Sequence, residues 1–113
     1  MYDAPHPELY RTMVITGASG YIGSRVALAA DDAGRDVRCL GRPPADAPQM
    51  ESHSWRLGDP VPDAIWRPDA NGAGVDAVVH LAHDWSKDVV YGENNINYKG
   101  GQILLDAARA ASV

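Results

Sequence analysis

The chain has 113 residues, 45% of them hydrophobic and 22% charged, with a formal net charge of −5 and a single cysteine, Cys39. This length is enough for one domain with a buried core, and the negative charge argues against a nucleic acid or an anionic membrane as an electrostatic partner. No apolar run reaches the roughly 18 residues of a membrane-spanning helix, no signal-peptide pattern opens the chain, and a lone cysteine excludes an internal disulfide, so we expect a cytoplasmic protein.

The first half of the chain predicts an arm, a strand, a helix and a second strand. Residues 1–10 contain two prolines and no apolar periodicity, which is typical of a flexible N-terminal arm. The strands are short apolar runs rich in β-branched residues, expected at 11–16 and 37–40. The helix between them, at 22–33, carries apolar side chains on one face: Ile22, Val26, Ala29 and Ala33. Gly34 stands where a glycine commonly ends a helix.

The second half predicts two further strands and a long helix. A proline-rich loop at 43–50 precedes a weaker strand at 54–57, and residues 60–74 have room for one turn of helix at most. A fourth strand is expected at 76–82 and, after a polar loop, a helix at 95–112. Buried strands alternating with helices predict a doubly wound α/β domain, in which right-handed crossovers join parallel strands.

Glycines at a spacing of three residues lie between the first strand and the first helix: Gly17, Gly20 and Gly23. In this context a phosphate can approach backbone N–H groups at a helix N-terminus, where a Cβ would block it. Gly17 would form the tight turn, Gly20 would admit a pyrophosphate, and Gly23 would let the helix pack close to the strand. The pattern predicts a nucleotide site, and it excludes a P-loop because no lysine follows the last glycine.

The end of the second strand indicates which dinucleotide would bind. In dinucleotide folds an acid at this place, about 20 residues after the glycine turn, binds the ribose 2′-hydroxyl of NAD. Here residues 40–43 read LGRP, without an acid. A guanidinium suits a 2′-phosphate, so we predict NADP over NAD, with Arg42 either as the phosphate ligand or as an exposed loop charge. Arg25, in the first turn of the helix, is either a surface arginine or a further phosphate ligand.

Segments along the whole chain carry a resemblance to a known family. Residues 16–23 read TGASGYIG, 57–59 read LGD, 76–83 read DAVVHLAH, and 97–108 read NYKGGQILLDAA. In this order and spacing they resemble the TGxxGxxG turn, the end of the third strand, the DxVxHLAA strand and the NxxGTxxLLxAA helix of the extended short-chain dehydrogenase/reductase family, of the epimerase/dehydratase type. The resemblance covers residues 12–113.

The resemblance implies a Rossmann-like sheet of about four parallel strands in the order 3-2-1-4, with residues 11–113 as the N-terminal part of an NAD(P)-binding domain. It also implies an adenine contact for Asp59 and a fourth strand that passes the pyrophosphate and ribose. The cofactor-binding residues expected on this basis are Gly17, Ser19, Gly20, Tyr21, Ile22, Gly23, Arg42, Asp59, Leu81, Ala82, His83 and Asn97.

The sequence departs from the family pattern at several places. His83 stands where the family has a small alanine, so its imidazole would either tune the cofactor cleft or point outward, whereas His80 is expected to be structural. Gly101 replaces a threonine. The family's catalytic Tyr-x-x-x-Lys pair is missing, since none of the 5 tyrosines has a lysine at the fourth following position. We therefore expect no catalytic residue in this chain alone, and its histidines and cysteine show no metal-ligand spacing.

These observations leave three functions open. In the first, the chain is the cofactor-binding part of an NADP(H)-dependent reductase or epimerase, and the complete enzyme needs roughly twice this length. Alternatively it is a non-catalytic module that senses a nucleotide or binds a partner, or it is a remnant without cofactor that is held in an oligomer. The last helix and an open edge of the fourth strand predict a homodimer or a larger assembly.

Overall fold

The computed structural model describes residues 11–86 and 92–113, so the predicted arm and residues 87–91 of the predicted polar loop lie outside it. The strands in the described residues are β1 Thr12–Thr16, β2 Asp36–Leu40, β3 Ser52–His53 and β4 Ala77–His80. The helices there are α1 Tyr21–Asp32 and α2 Ile96–Ala110. Short 3₁₀ turns lie at Asp63–Trp66 and Gly92–Asn94. None of these described helices is long and apolar enough to cross a membrane.

The strands form one parallel sheet in the order β3-β2-β1-β4. Ile15, near the centre of β1, pairs with Cys39 of β2 on one side and with Val79 of β4 on the other. β1 therefore lies inside the sheet, and the glycine turn that follows it is flanked by the ends of β2 and β4. This order confirms the prediction of a Rossmann-like α/β fold.

Successive side chains of β1 enter two different hydrophobic cores, because neighbouring residues of a strand point to opposite faces of a sheet. One core includes a residue of α2: Val14, Leu40, Trp55, Ile65, Val75 and Leu104. The other includes residues of α1: Ile15, Ala18, Ala27, Ala30, Val37 and Cys39. The two helices thus cover opposite faces of the sheet, which explains why the strands are apolar throughout rather than alternating.

The helix α1 does not bury the face that its larger apolar residues predict. Ile22 is 63% exposed and Ala29 is exposed, whereas the buried residues are Gly23, Ala27 and Ala30. Small side chains on the buried face let the helix approach β1 closely. Contact with the glycine turn, rather than the volume of the apolar side chains, therefore sets which face of α1 packs on the sheet.

The C-terminal end of α1 follows the local sequence rule. Gly34 has a φ of +81°, in the left-handed region that favours glycine. The N–H of Gly34 donates to the carbonyl of Asp31, and the N–H of Arg35 donates to the carbonyl of Ala30. This is the Schellman arrangement, and it satisfies carbonyl groups that the helix itself leaves without partners.

The prediction of a third strand at 54–57 is wrong. β3 consists of Ser52–His53, and its last carbonyl accepts the N–H of Gly41 at 2.8 Å. Beyond this point the chain leaves the sheet, because Trp55 turns into the core and its indole Nε1 donates to the carbonyl of Asp59 at 2.9 Å. A tertiary contact of one tryptophan thus overrides the local apolar pattern.

The connection from β3 to β4 contains a single 3₁₀ turn, as predicted, and a buried cation holds it. Arg38 of β2 is 1% exposed, and its Nη1 donates to the carbonyl oxygens of Ile65 and Arg67 at 2.8 and 2.7 Å. The guanidinium of Arg67 in turn binds both carboxylate oxygens of Glu51. Charge-assisted hydrogen bonds therefore fasten this connection to the sheet.

Candidate functional site

The glycine turn has the geometry that its spacing predicts. Gly17 has a φ of +74°, and a Cβ there would lie 2.7–2.8 Å from backbone atoms of Leu81 and Ala82. A Cβ on Gly23 would lie 1.8 Å from the carbonyl oxygen of Gly17, so only glycine lets α1 pack on the turn. Gly20 differs, since its φ is −81° and the nearest atom to a Cβ would be that same oxygen, at 3.3 Å. Apart from this oxygen and the adjacent residues, no atom of the described part of the chain lies within 4 Å of the Cβ position, which leaves space for a ligand on the remaining sides of Gly20.

The N-terminus of α1 presents backbone donors without a protein anion. Gly20 caps the helix with no side-chain hydrogen bond, and the first turn contains no acid. The side chain of Arg25 folds back on its own helix, where Nη1 donates to the carbonyl of Tyr21 at 2.8 Å and the guanidinium lies 3.7 Å from the centre of the Tyr21 ring. The partial positive charge of the helix end is thus available to an anion.

Thr16 joins the turn to the end of β4 through its side chain. Its Oγ1 accepts the N–H groups of Leu81 and Ala82, both at 3.0 Å, and lies 2.6 Å from Nδ1 of His80. Because this oxygen already accepts two bonds, its proton goes to Nδ1, and the neutral imidazole carries its own proton on Nε2. His80 is therefore a structural histidine, as the sequence predicts.

A cleft of about 980 Å³ opens at the carboxyl ends of the strands. Its volume is at the upper end of the roughly 300–1,000 Å³ of ligand clefts, and it lies at the sheet edge where doubly wound folds bind ligands. The predicted site residues that line it are Gly17, Ser19, Arg42, Ala82 and His83. Residues of the lining that were not among the predicted site residues include Ser52, Ser54, Trp55, Arg56, Leu57 and Asp84.

The remaining predicted site residues do not line this cleft: Gly20, Tyr21, Ile22, Gly23, Asp59, Leu81 and Asn97. The side chains of Tyr21 and Ile22 are exposed, so their possible contribution to a ligand is the backbone of the first turn of α1. Leu81 already donates its N–H to Thr16.

Asn97 clamps the loop that follows β4. Its Oδ1 accepts the N–H of Asp84 at 2.6 Å, and its Nδ2 donates to the carbonyl of Asp84 at 3.1 Å and to Nε2 of His83 at 3.3 Å. Asn95 caps α2 by accepting the N–H groups of Asn97 and Tyr98. The two asparagines together hold residues 83 and 84 of this loop against the start of α2.

The imidazole of His83 lies at the mouth of the cleft beside an exposed indole. Its ring centre is 4.1 Å from that of Trp85, with the two planes tilted by 48°. His83 is both exposed and part of the cleft lining. The aromatic contact and the bond from Asn97 restrict where this ring can lie.

Asp59 closes a turn on the β3 side of the cleft. Its Oδ2 accepts the N–H of Arg56 at 3.0 Å, and its own N–H donates to the carbonyl of Arg56 at 2.8 Å. The carboxylate is thus engaged with the backbone, while Arg56 lines the cleft. A cation shortly after the third strand, at the same sheet edge as Arg42, is the sequence signal that could have identified Arg56.

The charges along the cleft are unevenly distributed. Arg42 and Arg56 are exposed, and no carboxylate of residues 11–86 and 92–113 forms an ion pair with either. Asp84 is the one acid of the lining among these residues, and its Oδ1 accepts the N–H of Ser86 at 2.7 Å. Over the same part of the chain, no three histidine, cysteine or acidic side chains are grouped to hold a metal ion.

Comparison with known proteins extends the resemblance. A short-chain dehydrogenase/reductase of Aspergillus versicolor is 53% identical over 34 residues, which are 30% of this chain and 12% of that protein. The crystal structure of a short-chain dehydrogenase/reductase superfamily protein from Agrobacterium tumefaciens, with bound NAD, superimposes with a TM-score of 0.65 and 30% identity over 90% of this chain and 30% of that chain. The regions matched thus cover less than a third of the length of either protein. The sequence model of the NAD dependent epimerase/dehydratase family matches residues 13–113, and the chain therefore belongs to that family.

Proposed function

We propose that this chain binds an NAD(P) dinucleotide across the carboxyl ends of its strands, with the pyrophosphate at the turn from Gly17 to Gly23. The observation that carries the proposal is the open space at Gly20, next to a helix N-terminus without a capping side chain or an acid in its first turn. Backbone N–H groups and the helix dipole favour a phosphate at such a place. The Agrobacterium tumefaciens protein that shares this fold contains bound NAD.

The two halves of the dinucleotide would extend from the turn in opposite directions. The adenosine half would lie over the ends of β2 and β3, beside Gly41 and Arg42, and the nicotinamide half would lie over the end of β4, beside Ala82 and His83. Ser19 would complete the pyrophosphate site from within the turn. Asn97 and Asp59 would act through the loops that they hold, by positioning His83 and the turn at Arg56.

NADP is the favoured form of the cofactor. The end of β2 offers Gly41 and Arg42, where an NAD-binding site would have an acid for the ribose 2′-hydroxyl. The guanidinium of Arg42 can pair with a 2′-phosphate, whereas NAD offers it only hydroxyl groups. The proposal predicts that NADPH binds more tightly than NADH, and fluorescence titration of the wild-type chain with each cofactor measures the difference.

Binding and orientation of the cofactor are the proposed role of these 113 residues. When bound, the nicotinamide ring supplies hydride chemistry, but no tyrosine of this sequence precedes a lysine by four positions to provide the family's acid/base group. The alternative is a module that senses the nucleotide without turning it over. A sequence without the Tyr-x-x-x-Lys pair agrees with this alternative as well as with the proposed role. The cytoplasm is the proposed compartment, since it keeps the thiol of Cys39 reduced.

A homodimer is the proposed assembly. Tyr98 and Leu105 are exposed apolar residues seven positions apart on α2, and therefore lie on one side of that helix. The outer edge of β4 pairs with no other strand of the described residues. Light scattering is expected to show a dimer that Leu105→Glu weakens, and a monomer at high concentration would contradict this proposal.

The experiment that tests cofactor binding replaces Gly20, where a Cβ would meet the carbonyl oxygen of Gly17 at 3.3 Å, so that this oxygen must shift by a few tenths of an ångström. Gly20→Val places a branched side chain in the space proposed for the pyrophosphate, and the φ of −81° at Gly20 is accessible to valine. We expect NADPH and NADH to bind about tenfold or more weakly, while thermal unfolding shows a folded chain. Gly74→Ala is the matched control, because its Cβ would meet no atom within 4 Å. Wild-type protein that binds neither cofactor at millimolar concentration would overturn the proposal.

A further inference from the structure

Arg42 and Arg56 follow neighbouring parallel strands and line the same cleft. Adjacent strands are about 4.8 Å apart, so residues that follow their carboxyl ends start from a common edge. The N–H of Gly41 donates to the carbonyl of His53, and a Cβ on Gly41 would lie 3.7 Å from the carbonyl oxygen of Trp55. The residue before Arg42 is therefore joined to the end of β3 and lies close to the residue before Arg56.

The backbone of Arg56 is fixed before any ligand arrives. Its N–H and its carbonyl are both hydrogen-bonded to Asp59, and the preceding Trp55 is buried, with its indole bonded to the same turn. An anion that binds the Arg56 side chain would thus order one side chain but no loop, which reduces the entropy cost of binding. The guanidinium is exposed and forms no ion pair within the described ranges.

Among the described residues neither Arg42 nor Arg56 forms an ion pair with an acid, so an anion in this part of the cleft would be attracted by both charges. Ser52 of β3 and Ser54, which follows that strand, also line the cleft and add hydroxyl donors at its β3 end. The acid of the lining, Asp84, follows β4, which β1 separates from β2 by roughly 10 Å between strand axes. The β2–β3 end of the cleft therefore favours a compact, highly charged anion.

We infer that Arg56 is a specificity-determining residue that binds, together with Arg42, the 2′-phosphate of NADP. This inference rests on the proposed dinucleotide binding and adds to it a second ligand of the phosphate. Planar guanidinium groups from two strands bind the phosphate oxygens from different directions. Asp59 acts as a positioning residue that holds the turn from which Arg56 reaches the phosphate.

The test compares the affinities of NADPH and NADH in variants of the full 113-residue chain. Arg56→Ala is expected to weaken NADPH binding by about tenfold or more and to change NADH binding by no more than about twofold, because NADH lacks the phosphate. Arg56→Lys should restore part of the affinity, since a lysine keeps the charge without the planar fork. The double variant Arg42→Ala/Arg56→Ala should bind both cofactors equally.

Arg109→Ala is the matched control, since Arg109 is exposed in the last turn of α2 and is not part of the cleft lining. It should leave both affinities unchanged, and thermal unfolding of each variant should show a folded protein. Equal loss of NADPH and NADH binding in Arg56→Ala, or no loss of either, would overturn the role of Arg56 while leaving the dinucleotide site intact. A wild-type chain that binds neither cofactor would overturn both proposals.

Discussion

Among single residues, the hydroxyl group of Thr16 favours one protonation state of its neighbour His80. Its proton can go to His80 only while the imidazole is neutral. Burial, and to a lesser extent the nearby His83, lowers the pKa of His80 below its ordinary value, so the ring stays neutral near pH 7. The hydrogen bond and the lowered pKa therefore support the same protonation state.

Cys39 provides a prediction at this scale. It is buried in the core beneath α1, and burial, assisted by the negative charge of Glu51, raises the pKa of its thiol to about 11. Because the thiolate is the reactive form, we expect native protein to resist alkylation by iodoacetamide at pH 8 and to react fully once unfolded in urea. Mass spectrometry of the labelled chain measures this, and rapid labelling of the folded protein would contradict it.

At the scale of elements, two neighbouring glycines in α2 have opposite roles. A Cβ on Gly100 would lie 2.3 Å from Cδ1 of Leu57 and 3.1 Å from the backbone nitrogen of Gly58, so this glycine lets the helix pack against the turn after β3. A Cβ on Gly101 would have Nε2 of His80 as its nearest neighbour, at 3.9 Å, which is ordinary contact. The two positions therefore form a matched pair for substitution.

We predict that Gly100→Ala destabilises the fold and that Gly101→Ala stabilises it. The first introduces overpacking, which costs about 1–3 kcal/mol. The second reduces the conformational entropy that the backbone loses on folding, because alanine is less flexible than glycine in the unfolded chain. This stabilises the folded protein by about 0.5–1 kcal/mol. Urea unfolding of the two variants measures the free energies, and a change of the same sign in both would contradict the packing described for α2.

The elements also differ in how far local sequence predicts them. α1 and α2 lie within one or two residues of their predicted bounds, because Gly34 and Asn95 end and begin them through local hydrogen bonds. The fourth strand, expected at 76–82, spans only Ala77–His80, because Leu81 and Ala82 donate to the side chain of Thr16. Long-range bonds of this kind have no local sequence signal.

At the scale of the whole molecule, one carboxylate joins parts of the chain that are distant in sequence. Glu51 binds Arg67 of the long connection and His53 of β3, and it lies 3.9 Å from the buried Arg38 of β2. Chiefly through its hydrogen bonds from Arg67, these contacts lower the pKa of Glu51 from 4.5 to about 2. Glu51 thus links the acid stability of the protein to its tertiary structure.

We predict that Glu51→Gln reduces the loss of stability on acidification. A carboxylate whose folded pKa is lowered contributes stability that is complete above about pH 4.5 and is lost as the pH falls towards about 2. For this partly exposed group we expect roughly 1–2 kcal/mol at pH 7, after allowance for solvent screening. Urea unfolding between pH 7 and pH 3 measures the slope.

Asp46→Asn is the control for this experiment, because Asp46 is an exposed acid of the loop after β2. It should leave the pH dependence as in the wild type. An equal pH dependence in Glu51→Gln and the wild type would show that the contacts of Glu51 do not contribute to stability.

The order of the elements, the doubly wound arrangement and the glycine turn at the start of a helix can all be predicted from the amino-acid sequence. These features follow from local patterns: apolar runs, capping residues, and glycines where a Cβ cannot fit. For the same reason the role of Gly23 was predictable, since a Cβ there would meet the carbonyl oxygen of Gly17 within the same strand–turn–helix unit. The positive φ of Gly17 is likewise a local requirement of the turn, whereas its close approach to Leu81 and Ala82 is a contact with the end of β4.

The side chains that meet across the sheet could not be predicted in this way, because their contacts depend on the folded arrangement of the strands. The burial of Trp55 in the core ends β3 early, Asn97 binds residues 83 and 84, and Arg56 lines the same cleft as Arg42. Each depends on groups brought together by strand order and by burial of a large side chain, which spacing along the chain does not encode.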